Sequence, residues 1–115
     1  MDSILLSIKK MLGTTEEYDY FDPEIIANIN SVLMILDQLG VGKPSFIITG
    51  TDETWNDFLD GAKNLELVKS YVYLKVKLIF DPPTTGVLHE AMERQIQEFE
   101  WRLNVQAEGG ATDVV

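Results

Sequence analysis

A chain of 115 residues, 45% of them apolar, is sized for one domain with a real core and is not globally disordered. Nineteen acidic residues against nine basic leave a formal net charge of −10. That argues against gripping nucleic acid by its phosphates, but not against letting it slide past an acidic wall. The absence of cysteine excludes disulfides, thiolate metal sites and cysteine nucleophiles.

Residues 2–12 are predicted to form a short helix. Ile4, Ile8 and Met11 align, Leu5 and Leu12 flank them, Asp2 or Ser3 caps the start, and Gly13 ends it. The link from Thr14 to Phe21 is acidic and aromatic, and its rings are expected to order it. Asp22-Pro23-Glu24 then reads as a strong helix start. The Asp carboxylate would accept from free amides, Pro gives up nothing in the first turn, and Glu favours the positive end of the dipole. Ile25, Ile29, Val32, Leu36 and Leu39 form the stripe of this second helix, with Ile26 and Leu33 beside it. Gly40 and Gly42 close it.

Phe46-Ile47-Ile48 in the following segment has high β-propensity, yet no second strand-like run exists to pair with it. Residues 45–50 are therefore a surface loop, an extension of a helix edge, or a strand that pairs across subunits. Thr51-Asp52 reads as the start of a short helix carrying Trp55, Phe58 and Leu59, and Asp60-Gly61 is a turn signal.

Residues 62–80 read as a helix that is apolar on two opposite sides. At 100° per residue, Leu65, Val68, Val72, Val76 and Ile79 make one stripe, and Leu67, Tyr71, Leu74 and Leu78 make another. Asp81-Pro82-Pro83 forces a corner, because Pro82 disfavours helix at Asp81 and Pro83 blocks continuation. A last helix over 86–106 presents Leu88, Met92, Ile96, Phe99 and Leu103 on one face, with Trp101 off that stripe among charged neighbours. Residues 107–115 have no periodicity and are expected to be a flexible tail. The expected fold is mainly α: a compact helical domain of four to five helices over 1–106, one long loop able to hold a short strand, and a disordered tail over 107–115.

The chain offers little chemistry. His89 is the only histidine, and Thr85 and Glu93, its helical neighbours, complete no catalytic or metal constellation. Glu90, Glu93, Arg94, Glu98, Glu100 and Arg102 read as an exposed charged face, with Glu90 and Arg94, and Glu98 and Arg102, spaced as partners one turn apart. Gly40-Val41-Gly42-Lys43-Pro44-Ser45 lacks phosphate-loop spacing and follows a helix instead of a strand. Lys69, Lys75 and Lys77 point in different directions and read as stems over the core edge or partners for nearby acids. No catalytic residue, cofactor or metal is expected. No run approaches the roughly 18 apolar residues of a membrane span, and the acidic start without a small-residue cleavage site is not a signal peptide. The chain is expected to be made and used in the cytoplasm.

Two surplus features remain. The stripe Leu67, Tyr71, Leu74 and Leu78 belongs either to a helix sandwiched inside the domain or to a subunit interface. Trp101 and the run Phe46, Ile47 and Ile48 are the other interface candidates, aromatic residues being favoured anchors.

The order of short motifs resembles a known family. A short N-terminal helix precedes Tyr20-Phe21-Asp22-Pro23 and an Ile-rich helix ending in Leu39-Gly40-Val41-Gly42. Then come Trp55-Asn56-Asp57-Phe58-Leu59, Val68 to Lys77, Phe80-Asp81-Pro82-Pro83 and Phe99-Glu100-Trp101-Arg102-Leu103. Over roughly residues 1–106 this is similar to the head–tail connector (adaptor) proteins of long-tailed phages and prophages of Gram-positive bacteria. The resemblance implies a helical protomer of an oligomeric ring, expected to be twelve-fold in the virion, below the portal protein. Such a ring extends the DNA channel without specific DNA binding and presents a docking surface to a stopper or tail-completion protein. It also implies no covalent chemistry, and a place at the head–tail interface of the virion after synthesis in the host cytoplasm. The competing reading is a small acidic inhibitor that mimics the charge of DNA and blocks a nucleic-acid enzyme. The −10 charge favours it, and the even spread of acids along the chain counts against it.

Overall fold

The structure, a computed structural model, describes residues 3–15, 17–60 and 64–112, with side chains described as far as Gln106. Five helices follow in order: α1 (Ile4–Leu12), α2 (Asp22–Gln38), α3 (Trp55–Leu59), α4 (Leu65–Phe80) and α5 (Gly86–Thr112). No strand occurs among the described residues. An isolated antiparallel bridge joins Ser3 to Thr54, and the Ile4 amide donates to the Glu53 carbonyl at 3.0 Å.

The start of α1 is capped by Ser3, whose Oγ accepts from the Leu6 amide at 3.3 Å; Asp2, the other cap candidate, lies outside the described residues. Gly13 closes the helix at φ +90°, a conformation that suits glycine. The start of α2 differs from expectation. Helix geometry begins at Asp22 itself, and no side chain caps it. The Asp22 carboxylate turns instead to Lys9, with Oδ1 2.9 Å from Nζ.

The start of α3 also shifts, from Thr51-Asp52 to Thr54. Thr54 Oγ1 accepts from the Asp57 amide and Asp57 Oδ2 accepts from the Thr54 amide, both at 3.0 Å. This reciprocal pair satisfies two free donors at once. Asp60 ends the helix at φ +53°; Gly61 and the expected beginning of the next helix at 62–63 lie outside the described residues.

The centre of the fold is α4. Of its sixteen residues only Glu66 and Ile79 are exposed. Helices α1, α2 and α5 all pack against it, and Val68, Val72 and Val76 on one stripe and Tyr71 and Leu74 on the other are buried. Both apolar stripes are thus used within the protomer. After the Pro82-Pro83 corner, α5 returns along α4 as a 27-residue helix about 40 Å long, in a molecule measuring 49 × 36 × 19 Å. Its backbone stays helical past the end of the periodic stretch as far as Thr112, and 113–115 lie outside the described residues.

The loop between α2 and α3 is held by side chains in place of a partner strand. Asn30 on α2 accepts from the Ile48 amide at 2.8 Å and donates to the Ile48 carbonyl at 3.0 Å. One carboxamide therefore does for Ile48 what a neighbouring strand would, and the β-prone run is a loop clipped to α2. Glu53 fixes the next turn, accepting from Thr49 Oγ1 at 2.9 Å and from the amides of Thr49 and Gly50. Partial burial pushes the Glu53 carboxyl up, but these bonds outweigh it and hold the group below its ordinary value.

Candidate functional site

Among the described residues no reaction centre is assembled. Among the described residues no group of His, Cys, Asp and Glu side chains is arranged to hold a metal ion, and no helix is long and apolar enough to cross a membrane. His89 Nδ1 lies 3.6 Å from Glu93 on the same helix. Asp57 is occupied by the cap of α3. The Gly40–Ser45 turn wraps the α3 core: Gly42, at φ +77°, lies against the Phe58 ring, and the Lys43 amide donates to the Phe58 carbonyl at 2.9 Å.

What the protein does present is apolar surface. Of the interface candidates, Tyr71, Leu74 and Ile48 are buried inside the protomer, which for Tyr71 and Leu74 is the sandwiched-helix alternative. Tyr71 reaches Glu100 of α5, and the Asn30 clip holds Ile48, which lies in the core. Leu67, Leu78 and Phe46 are half-buried. Trp101 is 66% exposed and Ile47 59% exposed.

The exposed candidates fall in separate places. Ile47 and Phe46 line a cleft of about 470 Å³ with Met34 and Leu33 of α2. Asn30, Ser31, Asp37 and Ser45 add polar groups to its lining. Trp101 stands on α5, beside Arg102, which donates to Glu98 Oε2 from Nε at 3.0 Å and Nη2 at 2.7 Å. A third apolar area lies where α4 ends. Phe80 meets Phe21 edge-on at 5.3 Å, Phe21 meets Tyr20 at 4.9 Å, and Ile79 is exposed beside them.

The α4–α5 contact is polar at one point. Tyr71 donates its hydroxyl to Glu100 Oε2 at 2.7 Å, and Lys75 Nζ lies 3.9 Å from the same oxygen. Burial first, then the hydrogen bond and the Glu100 charge, push the Tyr71 phenol far above its ordinary value. Lys77 pairs with Asp81 at 2.9 Å, so two of the three clustered lysines serve their own protomer.

Sequence reasoning passed over Lys9 and Met34 as features of interest, and placed Ile79 on an apolar stripe of α4 although it is 58% exposed. Lys9 had a legible signal: it falls within about 60° of Leu5 and Leu12 on the helical wheel, the buried side of α1. Met34 lies opposite the α2 stripe, where a long apolar side chain has no core to enter.

Comparison with known proteins was made at three levels. Neither the curated proteins nor the solved structures give a match. The family model described as "Phage connector protein" matches residues 4–110, which takes in all of α1 to α4 and most of α5. With nearly the whole chain covered, the chain belongs to the phage connector protein family, a structural and not an enzymatic one.

Proposed function

We propose that this chain is a head–tail connector (adaptor) of a long-tailed phage or prophage of a Gram-positive host. In this reading it is one protomer of a twelve-fold ring in the virion, seated below the portal protein. The ring extends the DNA channel and offers its other surface to a stopper or tail-completion protein. Family membership over residues 4–110 carries the reading, and the motif order from Tyr20 to Leu103 supports the head–tail type.

The physical properties agree with it. A closed ring uses two different faces of each protomer, one against each neighbour. Trp101 on α5, and Ile47 of the α2–α3 loop with Met34 of α2 beside it, supply exposed apolar anchors. A net charge of −10 suits the wall of a channel through which a polyanion must slide without sticking.

Light scattering on the full chain, with and without purified portal protein, tests the proposal. Rings formed alone, or only in the presence of portal, are expected. A chain whose mass never responds to portal overturns the reading. Salt-sensitive binding to a basic nucleic-acid enzyme would then bring the acidic-inhibitor reading forward.

A further inference from the structure

The outer side of α5 carries a second pattern, separate from the one that buries Ile96 and Leu103. At 100° per residue, Val87, Ala91, Arg94, Glu98, Trp101 and Val105 fall in a band about 80° wide, opposite those two. Their spacing alternates four and three, the spacing of a seam between two helices. Ala91 is half-buried and the other five are exposed, Val87 to 81%.

The seam is also self-complementary about Ile96. Val87 and Val105 are equidistant from that residue along the chain, as are Ala91 and Trp101, and as are Arg94 and Glu98. Laid against a reversed copy of itself, the seam therefore sets like apolar residues together, a large side chain on a small one, and opposite charges face to face.

We propose that two copies of the free chain pair through this seam, their α5 helices antiparallel about a two-fold axis over Ile96. Each Trp101 covers the other copy's Ala91, where the small side chain leaves room for the indole. Each Arg94 meets the other copy's Glu98. Both bonds from Arg102 go to Glu98 Oε2, which leaves Oε1 for the incoming guanidinium. A parallel arrangement would set Arg94 on Arg94 and Glu98 on Glu98, so charge selects the antiparallel one.

One helix pair is a small interface, so the dimer is a concentration-dependent one. Being isologous, it closes at two copies. The pairing concerns the free chain and does not depend on the ring; where a ring forms, Trp101 exchanges one partner for another.

The absence of cysteine makes the register directly readable. Val87→Cys and Val105→Cys are prepared as full chains and oxidised mildly at about 50 µM, each alone and mixed. The expected result is a disulfide-linked heterodimer in the mixture and little product from either alone. Like positions in the antiparallel pair lie about 27 Å apart along the axis. Self-linking of Val87→Cys, or no linking in the mixture, overturns the proposal.

Charge exchange gives an independent reading by light scattering, with helix content checked by circular dichroism. Arg94→Glu is expected to weaken dimerisation at least tenfold, and Arg94→Glu combined with Glu98→Arg to restore it. Equal dimerisation in the unmodified chain and the single variant, or a monomer at every concentration, overturns it.

Discussion

Lys9 Nζ lies 2.9 Å from Asp22 Oδ1, and the lysine side chain is only 1% exposed. The pair ties the last turn of α1 to the first turn of α2, so a cation sits at a helix C-terminus and an anion at an N-terminus. The carboxylate, 20% exposed, keeps a solvent-facing side that the ammonium lacks. The two ends of the bridge should therefore respond unequally. Asp22→Ala is expected to lower stability, because it takes the carboxylate away from an ammonium buried in the core. Lys9→Met should cost less, since the remaining carboxylate can turn to water. Urea unfolding at neutral pH measures both, and a larger loss for Lys9→Met would refute the asymmetry.

The clip between Asn30 and Ile48 should be sensitive to which half of it is removed. Asn30→Asp keeps an acceptor for the Ile48 amide but loses the donor to its carbonyl. Asn30→Leu loses both and leaves two backbone groups of a buried residue unmatched. Losses of about 1 and about 2–3 kcal/mol are expected in that order. Amide exchange at Ile48 should quicken in Asn30→Leu and stay closer to the parent in Asn30→Asp.

Gly42 sits at φ +77° with the buried Phe58 ring against it, and a Cβ there would overlap the ring. Phe58 cannot swing away freely, because Phe46 packs on it at 5.2 Å between ring centres. Gly42→Ala is expected to cost about 2–3 kcal/mol from backbone strain and overpacking together. Gly50→Ala, with open space at its Cβ, is the control and should change stability by less than about 0.5 kcal/mol. Equal thermal midpoints for the two variants would contradict the packing argument.

Tyr71 predicts an alkaline limit. Its phenol is held above the ordinary value of 10.0 in the folded protein, so folding favours the protonated form. Below that value the folded and unfolded chains bind this proton equally, and its contribution is fully present. Above it the unfolded chain releases the proton first, and stability falls as pH rises. Tyr71→Phe should cost about 1 kcal/mol at neutral pH through the lost bond to Glu100. It should also flatten the decline between about pH 10 and 11. The same slope in parent and variant would show that other groups set the limit.

Much of this architecture can be read from the chain because each helix announces itself through periodicity. The doubled stripe of α4 is legible for the same reason, and a helix apolar on two sides is what a central position demands. What the sequence withholds is the partner across space. Asp22 looks like a cap until Lys9 is placed opposite it, thirteen positions earlier and across an aromatic link. Phe46-Ile47-Ile48 looks like a strand, since propensity reports a half-buried pleat and cannot see that Asn30 will supply the pairing. The interface candidates divide along the same line. Trp101 and Ile47 are exposed because they lie off the stripes, whereas Tyr71 and Leu74 could be placed only once α5 was folded back on α4.

The near-complete enclosure of α4 has a consequence for how such a protein can change over generations. A substitution in α4 must satisfy α1, α2 and α5 together, so drift there is confined to Glu66, Ile79 and their kind. The outer side of α5 answers to no neighbour within its own chain. There the constraint comes from a second copy, so a replacement at Arg94 must be answered at Glu98, and change on that side should come in matched pairs while the scaffold stays undisturbed.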